Sequence, residues 1–241
     1  MTRRGNFLLF EGVDRCGKTT QTKLLHEALN ASSPSHPSAL LHFPDRSTAI
    51  GQSIHSYLTS SEAMDDHAIH LLFSANRWEA ASKIESLLAS GQHIIMDRYS
   101  FSGVAFSAAK SGMSLDWCWA PEIGLPKPDA VIFLDVPVTQ AATRADFGQE
   151  RYETTAFQEQ VYKNFYHIME RTSPKWHVVD ATGTIEQWKM EFFFLDVGHA
   201  RASVQLAGVP SVERELVDGV WWRNLCINAK SARRLVPSVL R

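Results

Sequence analysis

The segment Phe7-Leu8-Leu9-Phe10-Glu11 runs straight into Gly12-Val13-Asp14-Arg15-Cys16-Gly17-Lys18-Thr19, and a helical pattern follows. An apolar run that ends in a glycine-bracketed loop with Gly-x4-Gly-Lys-Thr spacing admits few folds. The glycines let successive backbone N–H groups converge on phosphate oxygens, Lys18 brings a point charge, and the Thr19 hydroxyl suits Mg²⁺. The helix behind the loop adds unpaired N–H groups and the positive end of its dipole. Average composition would produce this match about once in a hundred chains of this length. The bland reading is a glycine turn that binds nothing.

The rest of the chain alternates short apolar runs with helical patterns. Strands are expected near 7–10, 39–43, 93–96, 130–134 and 176–179. Helices are expected over 19–29, 66–89, from about 101, near 114–119, from 139 and over about 155–170. That alternation predicts an α/β fold with a parallel sheet covered on both faces. The polar stretch Arg144–Glu153 reads as a mobile flap.

A net charge of −2 argues against nucleic acid as the main partner. No stretch is long and apolar enough to span a bilayer, so no membrane partner is expected. Cys16, Cys118 and Cys226 lack metal spacing and read as reduced thiols. The first residues are too short to read as a signal or transit peptide. A cytoplasmic location is expected, with nucleus and mitochondrion left open.

A phosphate loop does not by itself separate kinase from GTPase or motor. No guanine-reading Asn-Lys-x-Asp is present, and no strand ends in Asp-Glu. Asp146-Phe147-Gly148 looks like the metal triplet of protein kinases, but no His-Arg-Asp precedes it, so it reads as coincidence. Asp97-Arg98-Tyr99 and Phe43-Pro44-Asp45-Arg46 both follow strands, where open parallel sheets gather ligands. Asp97 can hold Mg²⁺ or its water, and Arg98 can clamp phosphate; a structural ion pair is the other reading. Arg46 suits a second phosphate, or is an exposed charge in a turn. Phe73 and Arg77, four residues apart, share a helix face that suits stacking on a base and reading its edge. Core packing and a solvated charge would look the same.

Six segments, 10–21, 43–48, 71–79, 97–106, 124–129 and 147–153, together resemble in order the blocks of the thymidylate (dTMP) kinase family. An arginine inside the loop resembles the eukaryotic subtype. The resemblance covers about residues 5–187. It implies a three-layer P-loop kinase fold with a five-stranded parallel sheet, helices on both sides and a short lid at about 143–154. It also implies transfer of the ATP γ-phosphate to dTMP, giving dTDP, with Mg²⁺ on Thr19 and Asp97.

By the same resemblance, Arg15, Lys18, Asp97 and Arg98 are catalytic. Gly12, Val13, Asp14, Arg15, Cys16, Gly17, Lys18, Thr19, Thr20 and Arg144 bind ATP. Asp14, Phe43, Arg46, Phe73, Arg77, Arg98, Ser102, Gly103 and Tyr152 hold the monophosphate substrate. Within that set, Asp14 approaches the 3′-hydroxyl and Tyr152 packs on the sugar. Arg144, Arg151 and Glu153 belong to the lid, and a homodimer is implied. The other readings are a kinase for a different nucleoside monophosphate or a deoxynucleoside, and a nucleotide-binding protein without turnover.

The resemblance stops near Gln187. An amphipathic helix is expected there; instead 188–241 carries Trp188, Phe192, Trp221 and Trp222 without periodicity, and ends in Lys230, Arg233, Arg234 and Arg241. Three readings stand for this divergent segment. They are an alternative or mispredicted terminal exon, an extension that binds a partner or anionic surface, and a folded replacement for the last helix.

Overall fold

The computed structural model describes residues 4–32, 37–59, 63–144 and 147–183. The divergent segment 188–241, Cys226 and the Asp146 of the coincidental triplet lie outside the described residues.

Five strands form one sheet: β1 (Phe7–Glu11), β2 (Ser38–His42), β3 (His93–Asp97), β4 (Ala130–Asp135) and β5 (Lys175–Asp180). Their order is β2-β3-β1-β4-β5 and every pairing is parallel. β1 is central and buried at all five positions. Its side chains alternate between two cores. Phe7 and Leu9 pack with Ile94, Met96, Val131 and Phe133 on one face. Leu8 and Phe10 pack with Ile95, Ile132 and Leu134 on the other. A strand buried on both faces cannot alternate polar and apolar residues, which is why these runs are continuously hydrophobic.

Helices cover both faces: α1 (Lys18–Ser32), α2 (Ala49–Thr59), α3 (Asp66–Glu79), α4 (Ala81–Ala89), α5 (Ser100–Ser107), α6 (Leu115–Trp119), α7 (Val138–Ala141) and α8 (Thr155–Arg171). The sequence pattern reads 66–89 as one helix, but the chain breaks at Ala80. The Ala80 N–H bonds to the carbonyls of Arg77 and Trp78. The reason is packing: α3 lies against α2 and α5, whereas α4 turns Ile84 and Leu88 under β3. Asp65 caps α3, accepting from the N–H groups of His67 and Ala68.

α2 was not expected from the sequence. Its Ile54, Tyr57 and Leu58 form a separate small core with Ile69. The described residues of the 143–154 flap hold turns and no regular element.

Candidate active site

The loops after β1, β2 and β3 all leave the carboxyl edge of the sheet, and β1 sits where the connections diverge to either side. That is where open α/β sheets form a crevice. A cavity of about 780 Å³ lies there.

The loop after β1 is shaped by contacts that allow no side chain at its first position. Gly12 has φ +148°, and a Cβ there would sit 2.7 Å from Cys16 Sγ and 2.9 Å from the Leu134 carbonyl oxygen. Arg15 adopts φ 60°, a conformation uncommon outside glycine. Lys18 is buried, and its Nζ donates to the carbonyls of Gly12 at 3.0 Å and Val13 at 2.6 Å. Lys18 also opens α1, so the dipole end faces the cavity.

Thr19 Oγ1 donates to Asp97 Oδ2 at 2.6 Å, joining the start of α1 to the end of β3. Asp97 Oδ1 is buried and has no hydrogen-bond partner. A hydroxyl beside an unsatisfied carboxylate oxygen fits a small hard cation. Among the described residues no group of three His, Cys, Asp or Glu could hold a metal. One hydroxyl and one carboxylate suit Mg²⁺, which is commonly bound through one or two carboxylates and substrate phosphates.

Three arginines on the cavity wall each pair with a carboxylate. Arg15 Nε donates to Glu153 Oε1 at 2.8 Å, and Arg46 Nη2 to Glu150 Oε1 at 2.6 Å. Arg98 pairs with Asp14, whose other oxygen accepts from Gln158 Nε2 at 2.6 Å. The Arg98 guanidinium lies 5.3 Å over the Phe106 ring. Its own backbone is also in the left-handed region, at φ 64°. Burial works against the Arg98 charge, but Asp14 and then Asp97 hold its pKa above the usual value.

Glu11, the last residue of β1, is fully buried. Its Oε1 accepts from the N–H groups of Tyr99 and Ser102, and its other oxygen accepts from the Ser102 hydroxyl. Tyr99, the residue preceding α5, supplies no side-chain cap, so Glu11 caps that helix from the neighbouring strand. Burial raises its pKa, against the lowering effects of Ser102 and Arg98. The Ser102 hydroxyl is thus committed to Glu11.

At the far end of the cavity, Glu122 accepts from Arg77 Nε at 2.7 Å and from Nη2 at 2.5 Å, both side chains being buried. Gly103 lies flat against that guanidinium; a Cβ there would come within 2.5 Å of Nη2. Phe73, one turn before Arg77, lines the same end. The Tyr152 ring stacks on Phe157 at 4.9 Å, with Lys110 Nζ 5.1 Å from its centroid, and its hydroxyl meets that of Tyr57 at 3.2 Å. Burial pushes the Tyr152 pKa up, and the Tyr57 hydroxyl adds to the shift.

Asp14, Arg15, Gly17, Lys18, Thr19, Thr20, Phe43, Arg46, Phe73, Arg77, Asp97, Arg98, Ser102, Gly103, Arg144, Tyr152 and Glu153 all line the cavity. Gly12, Val13 and Cys16 belong to the loop but are not among the residues lining the cavity. Arg151 is not either: its Nε donates to the Tyr57 carbonyl at 3.0 Å and its guanidinium lies 4.1 Å from the centre of the Tyr57 ring. Arg144 reaches the carbonyls of Arg15 at 2.7 Å and Ala181 at 3.1 Å.

Sequence reasoning gave no role to Glu11, Phe106, Ser107, Glu122, Glu150 and Gln158. Glu11 abuts the loop and Glu150 lies within the flap, so an acid partner could have been sought for each nearby arginine. Glu122 and Gln158 are distant in sequence and carry no comparable signal.

Comparison with known proteins agrees with this geometry. The thymidylate kinase family profile matches residues 10–191. Thymidylate kinase from Danio rerio is 50% identical over 185 residues, 77% of this chain and 86% of that one. The Homo sapiens thymidylate kinase is 50% identical over 184 residues, 76% and 86% of the two chains. The solved structure of thymidylate kinase from Candida albicans superposes with a TM-score of 0.74 at 39% identity, covering 81% of this chain and 92% of that one. With the phosphate loop, the sheet order and the profile match in agreement, the chain belongs to the thymidylate kinase family.

Proposed function

We infer that the chain is an ATP-dependent dTMP kinase, transferring the γ-phosphate of ATP to dTMP to form dTDP and ADP. The observation that carries this reading is that one cavity is lined both by Arg15 and Lys18 of the phosphate loop and by Phe73 and Arg77 of α3, the first pair suited to phosphate and the second to a base.

A phosphate monoester has its second pKa near ~6, so at neutral pH the dTMP phosphate is already largely a dianion. One of its oxygens attacks the γ-phosphorus, and the bond to the β–γ bridging oxygen breaks. No general base is required, which matches a site dominated by Arg, Lys and backbone donors. Arg98 and Arg46 orient the acceptor phosphate, and Arg77 and Phe73 orient the base. Lys18 and Arg15 face the charge that spreads over the transferring group. An arginine carries five N–H donors, so pairing with one carboxylate still allows contact with phosphate. Thr19 and Asp97 would hold Mg²⁺, which would supply charge neutralisation for the nucleotide phosphates. Glu153 and Arg144 bring the flap against the loop, where closure would keep water from the γ-phosphate.

The same reading includes a homodimer. Leu71 and Trp78 lie two turns apart on α3, exposed by 49% and 42%; Trp117 beside His67 and His70, and exposed Ile123, next to the Gly124 that lies against Trp78, add further apolar surface. A reducing, cytoplasmic location accords with Cys16 and Cys118 being free. Among the described residues no helix is long and apolar enough to cross a membrane.

A coupled assay of ADP formation with and without dTMP tests the activity. The expected result is ADP release that depends on dTMP. ATP binding without such release would instead leave a nucleotide-binding protein, and faster turnover of dUMP or CMP would reassign the substrate.

A further inference from the structure

Arg46 is held by α2, the helix that the sequence pattern does not predict, and no step of the transfer uses that hold. α2 packs at close range on the loop that carries Arg46. A Cβ on Gly51 would sit 1.8 Å from the Asp45 carbonyl oxygen and 2.9 Å from the Arg46 Cα. One residue on, Gln52 Nε2 donates to the Arg46 carbonyl. Three residues further, on the same face of the helix, His55 Nδ1 lies 2.9 Å from Arg46 Nη1. Arg46 lines the cavity, whereas Gln52 and His55 do not.

The contact between His55 and Arg46 has a fixed polarity. A guanidinium only donates, so Nδ1 is the acceptor and the neutral ring carries its proton on Nε2. The other terminal nitrogen, Nη2, donates to Glu150 Oε1 at 2.6 Å. These two bonds take two of the five N–H groups of Arg46 and leave the other three for a phosphate. The two partners differ in what they stand on. Glu150 belongs to the flap, so a guanidinium held by it alone would follow the flap. His55 stands on α2, which Ile54, Tyr57 and Leu58 seat in the small core with Ile69.

We propose that His55 is a positioning residue for the acceptor phosphate: it ties the Arg46 guanidinium to α2, so that Arg46 keeps its place on the cavity wall whatever the position of the flap. His55 touches no substrate and acts only through Arg46. An arginine side chain that is already ordered loses less rotamer freedom when it meets its anion, so the benefit falls on binding of the monophosphate. The proposal rests on the reading that Arg46 holds that phosphate.

The test is steady-state kinetics with dTMP and ATP varied in turn, for wild type, His55→Leu, His55→Asn, Arg46→Ala and the double variant of Arg46→Ala with His55→Leu. His55→Leu removes the acceptor and should raise the KM for dTMP about fivefold, the scale of one hydrogen bond, with the KM for ATP near that of wild type. His55→Asn puts a carbonyl oxygen near the place of Nδ1 and should return the KM to within about twofold of wild type. The ranking of the two separates this role from a structural one. Leucine favours helix more than asparagine does, so a residue that served only α2 would be replaced worse by asparagine. In the Arg46→Ala background, His55→Leu should add nothing, because its effect passes through Arg46. Should His55→Leu fold poorly, His55→Ala removes the same acceptor in its place. A KM unchanged in His55→Leu but raised in Arg46→Ala overturns the proposal and leaves the phosphate role of Arg46 standing, as does an asparagine variant worse than the leucine one. A KM for dTMP unchanged in Arg46→Ala removes that role and the proposal with it.

Discussion

The carboxylate of Glu153 joins the flap to the phosphate loop: Oε1 accepts from Arg15 Nε at 2.8 Å, while Oε2 accepts from the N–H groups of Gly148, Gln149 and Glu150. One buried acid thus shapes the turn of the flap and aims the arginine of the loop. Arg15→Ala should lower kcat about 100-fold or more, the scale of removing one donor to transition-state charge. The KM for dTMP should change far less, since Arg46 and Arg98 are the residues proposed to hold that phosphate. Steady-state kinetics with varied dTMP decides, and an unchanged kcat would remove Arg15 from the chemistry.

Glu153→Ala takes away the acceptor of three flap N–H groups as well as the partner of Arg15. Limited proteolysis should then cut within 147–153 at least severalfold faster than in wild type, with kcat reduced. Equal cutting rates would mean the flap holds its turn without Glu153.

Gly103→Ala forces a methyl group against the Arg77 guanidinium, 2.5 Å from Nη2 if nothing moves. Arg77 is clamped by Glu122 and has little room to yield. The KM for dTMP should rise about tenfold, a cost in the range of overpacking, while the KM for ATP stays near that of wild type. Steady-state kinetics with each nucleotide varied in turn separates the two effects.

Glu122→Ala leaves a buried guanidinium without its carboxylate. The expected loss is about 3–5 kcal/mol of stability, read as a lower urea midpoint at unchanged slope. A shift below ~1 kcal/mol would show that water or another acid replaces Glu122.

The depressed pKa of His70 makes stability pH-dependent with a definite sign. Below 6.5 the unfolded chain binds a proton at this ring that the folded chain resists, so stability falls as pH drops from 6.5 towards the folded pKa. The slope from this group approaches about 1.4 kcal/mol per pH unit inside that window and vanishes above it. Urea midpoints between pH 5 and 8 should show it, and His70→Leu should be flatter over the same interval. Parallel curves would exclude His70 as the source.

Leu71→Glu places a charge in the apolar patch on α3. If two copies meet there, light scattering should find twice the monomer mass for wild type and the monomer for the variant. A monomeric wild type would end the dimer reading.

What was legible in the sequence follows physical rules that act over short spans. The phosphate loop, the strand-end motifs Asp97-Arg98 and Phe43-Pro44, and the Phe73–Arg77 spacing are all local, and their side chains line one cavity. The partners that aim those side chains were not legible. Glu122 is 45 residues from Arg77, and Gln158 is 144 residues from Asp14; such pairings exist only once the sheet has brought the segments together. The break at Ala80 was hidden for another reason. Alanine favours helix, so nothing local stops the run, and the turn there comes from α3 and α4 packing against different neighbours. α2 could have been read from the spacing of Ile54, Tyr57 and Leu58, but its polar neighbours dilute the pattern.

Glu11 immediately precedes the phosphate loop, and it grips the first turn of α5, the helix that on the proposed reading faces the acceptor. Both ends of the reaction path are therefore tied to one side chain at the tip of the central strand. The span between the two is set by the central strand, while the flap carboxylates Glu153 and Glu150 aim Arg15 and Arg46 across it.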